Sequence, residues 1–225
     1  MQDYLILKLE GVLQSWGTHT YEDYRPSNMF PTLSGVLGLL AACLGIERKD
    51  WQRLQALDRS IELAVRVDQV MLGARRLMPV KITDFHTVMD AHKVDGKVNK
   101  YPVVSRREYL CDAKFTLAIR ATARPCITLD ELEAAVKKPR YTPFLGRRAC
   151  PLSRPLWETR VQADAFEIAL EQIGPRQGGV IYSEWIDAKP GRLERDVPVR
   201  DSKRQFATRH IRIKTQREET AHVSQ

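Results

Sequence analysis

No run in this sequence approaches the ~18 apolar residues that a helical membrane span requires, so a spanning helix is excluded and no membrane partner is expected. The opening Met1-Gln2-Asp3-Tyr4 lacks the basic stretch and apolar core of a secretory signal. Cysteine is scarce. Cys43, Cys111, Cys126 and Cys150 form no C-x-x-C pair, and none has a histidine at zinc-ligand spacing. They read as reduced thiols of a cytoplasmic protein, with Cys43 in the core. Phosphate-loop, H-E-x-x-H and G-x-S-x-G patterns are missing, so no nucleotide or metal cofactor is expected. There is no internal repeat and no low-complexity tract.

Acidic residues are absent from one stretch in particular. Residues 137–151 carry Lys137, Lys138, Arg140, Arg147 and Arg148 with no Asp or Glu among them. Tyr141 and Phe144 lie between these charges, and Gly146 with Pro139, Pro143 and Pro151 shapes the backbone. Cations bind phosphate, aromatic rings stack on bases, and glycine admits close backbone approach. The stretch reads as a single-stranded nucleic-acid contact, or as a solvated basic loop after a helix. The whole chain agrees with a polyanionic partner: 225 residues, 43% of them hydrophobic, and a net charge of +8. That length suits one large domain or one domain with a smaller appendage.

Periodicity supplies the elements. Leu5, Leu7 and Leu9 alternate with Ile6 and Lys8 as a first strand. A polar and aromatic connection runs from Gly11 to Pro31. Ser34 to Leu44 reads as a buried helix closed by Gly45, and Asp50 caps a short second helix carrying Leu54 and Leu57. Ile61, Leu63, Val65 and Val67 mark a half-buried strand, as do Phe115, Leu117 and Ile119. Thr128-Leu129-Asp130-Glu131 is a capping box opening a helix that Pro139 stops. The predicted class is α+β, on a ferredoxin-like (RRM-like) plan over residues 1–150. The last strand of that plan has no assigned place. Residues 151–225, with Val180-Ile181-Tyr182 and His210-Ile211-Arg212-Ile213, are expected to form a small β-rich extension.

The interval from about Gln69 to Leu110 is too long for a turn. Val94-Asp95-Gly96-Lys97-Val98 carries a turn signal, so a long β-hairpin insertion is expected. Lys93, Lys97, Lys100, Arg106 and Arg107 make it basic. A solvated, unstructured insertion is the other reading.

Several ordered segments resemble one family. They are Leu13-Gln14-Ser15-Trp16-Gly17; Arg25 with Phe30-Pro31-Thr32-Leu33-Ser34-Gly35-Val36-Leu37; Asp84-Phe85-His86-Thr87; Arg107-Glu108-Tyr109-Leu110-Cys111-Asp112-Ala113; and the stretch from Pro139 to Arg148 with Cys150-Pro151-Leu152. Together they resemble the CasD subunits of type I-E CRISPR surveillance complexes (Cascade), within the RAMP superfamily. The resemblance runs from about Tyr4 to Trp157 and thins beyond it, where Arg204-Gln205-Phe206-Ala207 also matches. It implies a non-catalytic, RNA-binding subunit in antiviral defence that holds the 5′ handle of the CRISPR RNA. It also implies a ferredoxin-like domain with a hairpin thumb. The implied partners are CasC backbone subunits, the large CasA subunit, and target DNA through the assembled complex, where guide pairing reads sequence.

The expected RNA-binding residues are Trp16, Arg25, Ser34, Gly35, Arg106, Arg107, Tyr109, Arg140, Tyr141, Gly146, Arg147 and Arg148. Trp16 reads as a base-stacking ring or as a buried core residue. Ser34 and Gly35 open a helix whose free N–H groups suit a phosphate, or they form a plain N-cap region. Arg106, Arg107 and Tyr109 stand where the insertion returns to the sheet, offering phosphate forks and a stacking platform; Tyr109 has a core reading as well. Gly146 resembles the superfamily's glycine-rich loop. A second function class is metal-independent endoribonuclease processing of CRISPR precursor RNA. It needs a base for the 2′-OH and an acid for the leaving oxygen, with His86, Lys81 and Tyr109 as the candidates.

Overall fold

The structure, a computed structural model, describes residues 1–18, 23–68, 70–72, 75–77, 79–92, 95–174, 179–184, 192–200 and 204–216. Strand β1 (Gln2–Glu10) is followed by four two-residue strands, β2 (Leu13–Gln14), β3 (Trp16–Gly17), β4 (Tyr24–Arg25) and β5 (Ser27–Asn28). Helices α1 (Leu33–Leu44) and α2 (Trp51–Ser60) lead to β6 (Ile61–Asp68). The insertion holds β7 (Val70–Leu72), β8 (Arg75–Leu77), β9 (Val80–Val88) and β10 (Val103–Cys111). Then come β11 (Lys114–Ala121), α3 (Leu129–Lys137), β12 (Trp157–Ala163) and α4 (Phe166–Glu171). The chain closes with β13 (Gly179–Glu184), β14 (Arg192–Arg200) and β15 (Arg204–Gln216).

Seven strands form one antiparallel sheet in the order β12-β1-β11-β6-β13-β15-β14. β12, which the sequence reading left unplaced, pairs with β1 from Gln2↔Ala163 to Leu7↔Trp157. Residues 151–225 therefore supply four strands to the same sheet, β12 at one edge and β13, β15 and β14 at the other.

Alternation along β1 decides both faces. Leu5, Leu7 and Leu9 join Leu37, Leu40, Leu132 and Val136 under α1 and α3. Tyr4 and Ile6 point the other way, to Ala64, Ala118, Ala169 and Leu170. The second face is thus roofed by α4, with the Tyr4 and Phe166 rings edge to face at 5.1 Å. RRM-type domains leave this face open to stack bases; here it is packed. Beneath the roof lies a buried polar cluster. Lys8 Nζ is 3.0 Å from Asp68 Oδ2, Arg66 Nε donates to Asp68 Oδ1 at 2.7 Å, and the Thr116 hydroxyl donates to Asp68 Oδ2 at 2.7 Å. The surplus positive charge meets backbone carbonyls. Arg66 donates to Leu170 O at 2.6 Å, and Lys8 to Gly174 O at 2.6 Å, at the C-terminal end of α4.

The insertion is ordered as a hairpin along its stems. β9 and β10 pair from Val103↔Val88 to Cys111↔Val80. At its tip Asp95 Oδ1 accepts from Lys97 N at 3.1 Å and Gly96 takes φ +82. Lys93 and Val94, part of the expected turn, lie outside the described residues. The capping box of α3 forms as read: Glu131 Oε2 accepts from Thr128 N at 2.7 Å, and Thr128 Oγ1 accepts from Glu131 N at 3.2 Å.

Candidate nucleic-acid interface

The site begins at the base of the hairpin, where β10 meets the connection between β1 and α1. β4 runs parallel to β10 over two residue pairs, Arg106↔Tyr24 and Arg107↔Arg25. Register partners share a face, so two arginines stand side by side. Like charges in that position repel; Asp84, opposite Arg107 on β9, offsets part of this, and an anion between the arginines relieves the rest. Arg25 is exposed and Arg107 half-buried, its Nε donating to Ser105 Oγ at 3.0 Å.

Behind this pair lies Tyr109, only 3% exposed. The Arg147 guanidinium stacks over its ring at 4.8 Å and donates to Glu108 O at 3.3 Å and Arg25 O at 3.0 Å. His86 Nε2 sits 3.0 Å from the Tyr109 hydroxyl and 2.9 Å from Asp84 Oδ2. Arg106 points to the other face, its guanidinium 5.8 Å from the centre of the Tyr24 ring and its Nε 3.5 Å from Asp23 Oδ2.

Glu108 organises this region from inside. Its carboxylate accepts the Tyr24 hydroxyl, Ser27 N at 2.9 Å and the Lys81 ammonium at 2.9 Å. Its carbonyl accepts Ser15 Oγ at 3.0 Å. Burial pushes the carboxyl pKa up, but the hydrogen bonds from Tyr24, Lys81 and Ser27 outweigh it and hold the group below the ordinary glutamate range. The same bond raises the Tyr24 phenol.

The basic stretch 137–151 folds against the rest of the site. Arg140 N donates to Cys43 O at 2.9 Å and Tyr141 N to Ala42 O at 3.1 Å, finishing the C-terminus of α1. That helix has no basic residue in its own last turn, and the aliphatic stem of Arg140 packs against Gly45 just beyond it. Gly146 takes φ +85, and a Cβ there would lie 1.8 Å from Ser15 O. Arg148 is exposed and has no polar partner among the described residues, while Tyr141 keeps 46% of its surface.

A sequence model of the family described as CRISPR-associated protein (Cas_Cas5) matches residues 4–212. The chain belongs to that family. Over 214 residues it is 46% identical to the CRISPR system Cascade subunit CasD of Escherichia coli (strain K12), covering 93% of this chain and 94% of that protein. Among solved structures it is similar to a chain of a CRISPR RNA-guided surveillance complex, with TM-score 0.74 and 28% identity over 95% of this chain and 90% of that one. It is also similar to a crystal structure of a Cas protein, with TM-score 0.67 and 31% identity over 96% of each chain.

Within this CRISPR-associated chain several expected contacts need correction. Trp16 is fully buried, its Nε1 donating to Gln14 Oε1 at 3.1 Å, so its ring offers no face to a base. Ser34 and Gly35 do not open a vacant anion site. Gly35 N donates to Thr32 Oγ1 at 3.3 Å, and Leu33 N to Asp196 Oδ2 at 2.7 Å. The Asp196 carboxylate, gripped by Arg209 at 2.7 and 2.9 Å, sits where a phosphate was expected. A Cβ on Gly35 would lie 2.8 Å from Trp16 Cε3, so the glycine serves packing. Tyr109 is buried under Arg147 and is no stacking platform. Arg147 is a brace, and Gly146 a close-approach glycine. Arg25, Arg106, Arg107, Arg140, Tyr141 and Arg148 remain at the surface, as fully exposed or half-buried side chains.

Glu108 was missed by sequence reasoning. The available signal was a lone acid directly after Arg106-Arg107, in a strand otherwise read for its cations. No group of three or more histidine, cysteine or acidic side chains suited to a metal occurs among the described residues.

Proposed function

We propose that this chain is the non-catalytic RNA-holding subunit of a CRISPR surveillance complex, binding the 5′ handle of the CRISPR RNA through the surface around Arg25 and Arg107. The observation that carries the reading is their cross-strand pairing, two arginines as register partners across β4 and β10, with Asp84 opposite Arg107 on the β9 side and engaged by His86. Arg148 and Tyr141 extend the surface, one as a phosphate contact and the other as an exposed ring. The 46% identity to a named Cascade subunit supports assembly with backbone subunits of the CasC kind and a large subunit of the CasA kind. The sheet order β12-β1-β11-β6 supports a ferredoxin-like domain, and the β9–β10 hairpin a thumb.

The nuclease reading is the weaker one. Lys81 Nζ is engaged by Glu108 and by Ser27 O at 2.7 Å, and Tyr109 is buried. Tyr109 is covered, and the Lys81 ammonium, though accessible, is already engaged.

The test is fluorescence anisotropy of the purified chain with labelled handle RNA across a salt series. The R25A/R107A double variant is expected to weaken binding and to lower the log–log salt slope by about 1.4, ~0.7 per lost single-strand phosphate contact. Unchanged affinity and slope would count against the interface. Repeat RNA incubated with the chain in EDTA is expected to stay intact; discrete products that vanish in H86A would reverse the ranking.

A further inference from the structure

The Arg25–Arg107 pair has little of its own to hold it together. β4 and β10 share only two residue pairs, and the two cations repel across the ladder. Two residues make too short a strand pair to persist unaided. Arg147 holds the Arg25 carbonyl at 3.0 Å, and the rest of the restraint comes from the opposite face of β10. Glu108 Oε1 accepts the Tyr24 hydroxyl and Oε2 accepts Ser27 N. Tyr24 and Ser27 flank Arg25 on either side, so one carboxylate grips the β4 segment before and after the arginine.

The same group anchors the hairpin stem through Lys81, and its carbonyl takes a hydrogen bond from Arg147. Three separated segments therefore meet on one residue, which sits next to Arg107 in the chain. We infer that Glu108 is a positioning residue for the RNA surface, holding Arg25 at phosphate-forking distance from Arg107. The inference rests on the proposed RNA reading, and it assigns Glu108 an effect on binding that acts through Arg25.

Glu108→Gln keeps the shape of the side chain and removes the charge that binds Tyr24 and Lys81. The full-length variant is expected to bind handle RNA roughly fourfold more weakly at about 0.15 M salt, with a slope lower by ~0.7, the share of one single-strand phosphate contact. Arg25→Ala should produce the same pair of changes. The E108Q/R25A double variant should fall no further, because the carboxylate has nothing left to position. Hydrogen exchange at the Ser27 amide should quicken in E108Q.

Multiplying losses in the double variant, or an E108Q protein with wild-type affinity and slope, would overturn the inference while the RNA reading stands on R25A. An R25A protein with unchanged binding would overturn both. If E108Q does not fold, Tyr24→Phe removes one of the two flanking bonds and should show a smaller loss in the same direction. An unaltered salt slope in Y24F would then sink the inference.

Discussion

Arg147 lies over Tyr109 with its guanidinium carbon 4.8 Å from the ring centre, while Arg148, the next residue, projects into solvent. Adjacent arginines thus have opposite duties. Arg147→Ala removes a cation–π contact and two hydrogen bonds to carbonyls and should cost about 1–2 kcal/mol of stability. Arg148→Ala should leave stability within ~0.5 kcal/mol and lower the RNA salt slope by about 0.7. Denaturant midpoints and salt titrations on the two single variants check the contrast.

Gly146→Ala meets two obstacles, a φ of +85 and the carbonyl of Ser15 at 1.8 Å from the new Cβ. Backbone must move on one side or the other. A loss on the order of 3 kcal/mol is expected, measured as a fall in the urea midpoint. Gly17→Ala, with open space around the new atom, should be nearly silent by comparison.

Asp68→Ala leaves Lys8 and Arg66, both almost wholly buried, without their carboxylate. Removing one partner of such a cluster costs about 3–5 kcal/mol. Thermal unfolding should show a large fall in Tm, greater than that of Thr116→Val, which removes only a hydroxyl.

Acid should weaken the hairpin base through Glu108. Its folded-state pKa lies below the ordinary value, so the stabilisation is fully present above the unfolded glutamate value and is lost as pH falls through the depressed folded one. Wild type should therefore lose Tm on acidification more steeply than E108Q. The two curves should converge at the acid end, as differential scanning calorimetry across the range would reveal.

Much of the frame was legible because it rests on local periodicity. β1, β6, β11, α1 and α3 each carry a period-2 or period-3.6 pattern with clear caps. β12 was not, because Trp157-Glu158-Thr159-Arg160-Val161-Gln162-Ala163 spends its polar residues on ion pairs, such as Arg160 with Asp3 at 2.8 Å. The roof over the second face was hidden because Lys8 and Arg66 look like solvent-facing residues until α4 brings its carbonyls to them. At the site, composition found the cations. It did not separate free ones from engaged ones, since Arg147 is held by the carbonyls of Glu108 and Arg25, and backbone acceptors leave no mark on sequence. Asp196 at the start of α1, 163 residues from Leu33, was equally out of reach.

Both ends of α1 are finished by parts of the chain made much later. Its first N–H is met by Asp196, and its last carbonyls by Arg140 and Tyr141. β1 likewise lies between β11 and β12, so its second neighbour is complete only once Ala163 has emerged. On the ribosome, the apolar run from Tyr4 to Leu7 waits through most of synthesis for its covering. That interval of exposure, rather than the stability of the finished sheet, is where a nascent chain of this topology is open to chaperone capture or misassociation.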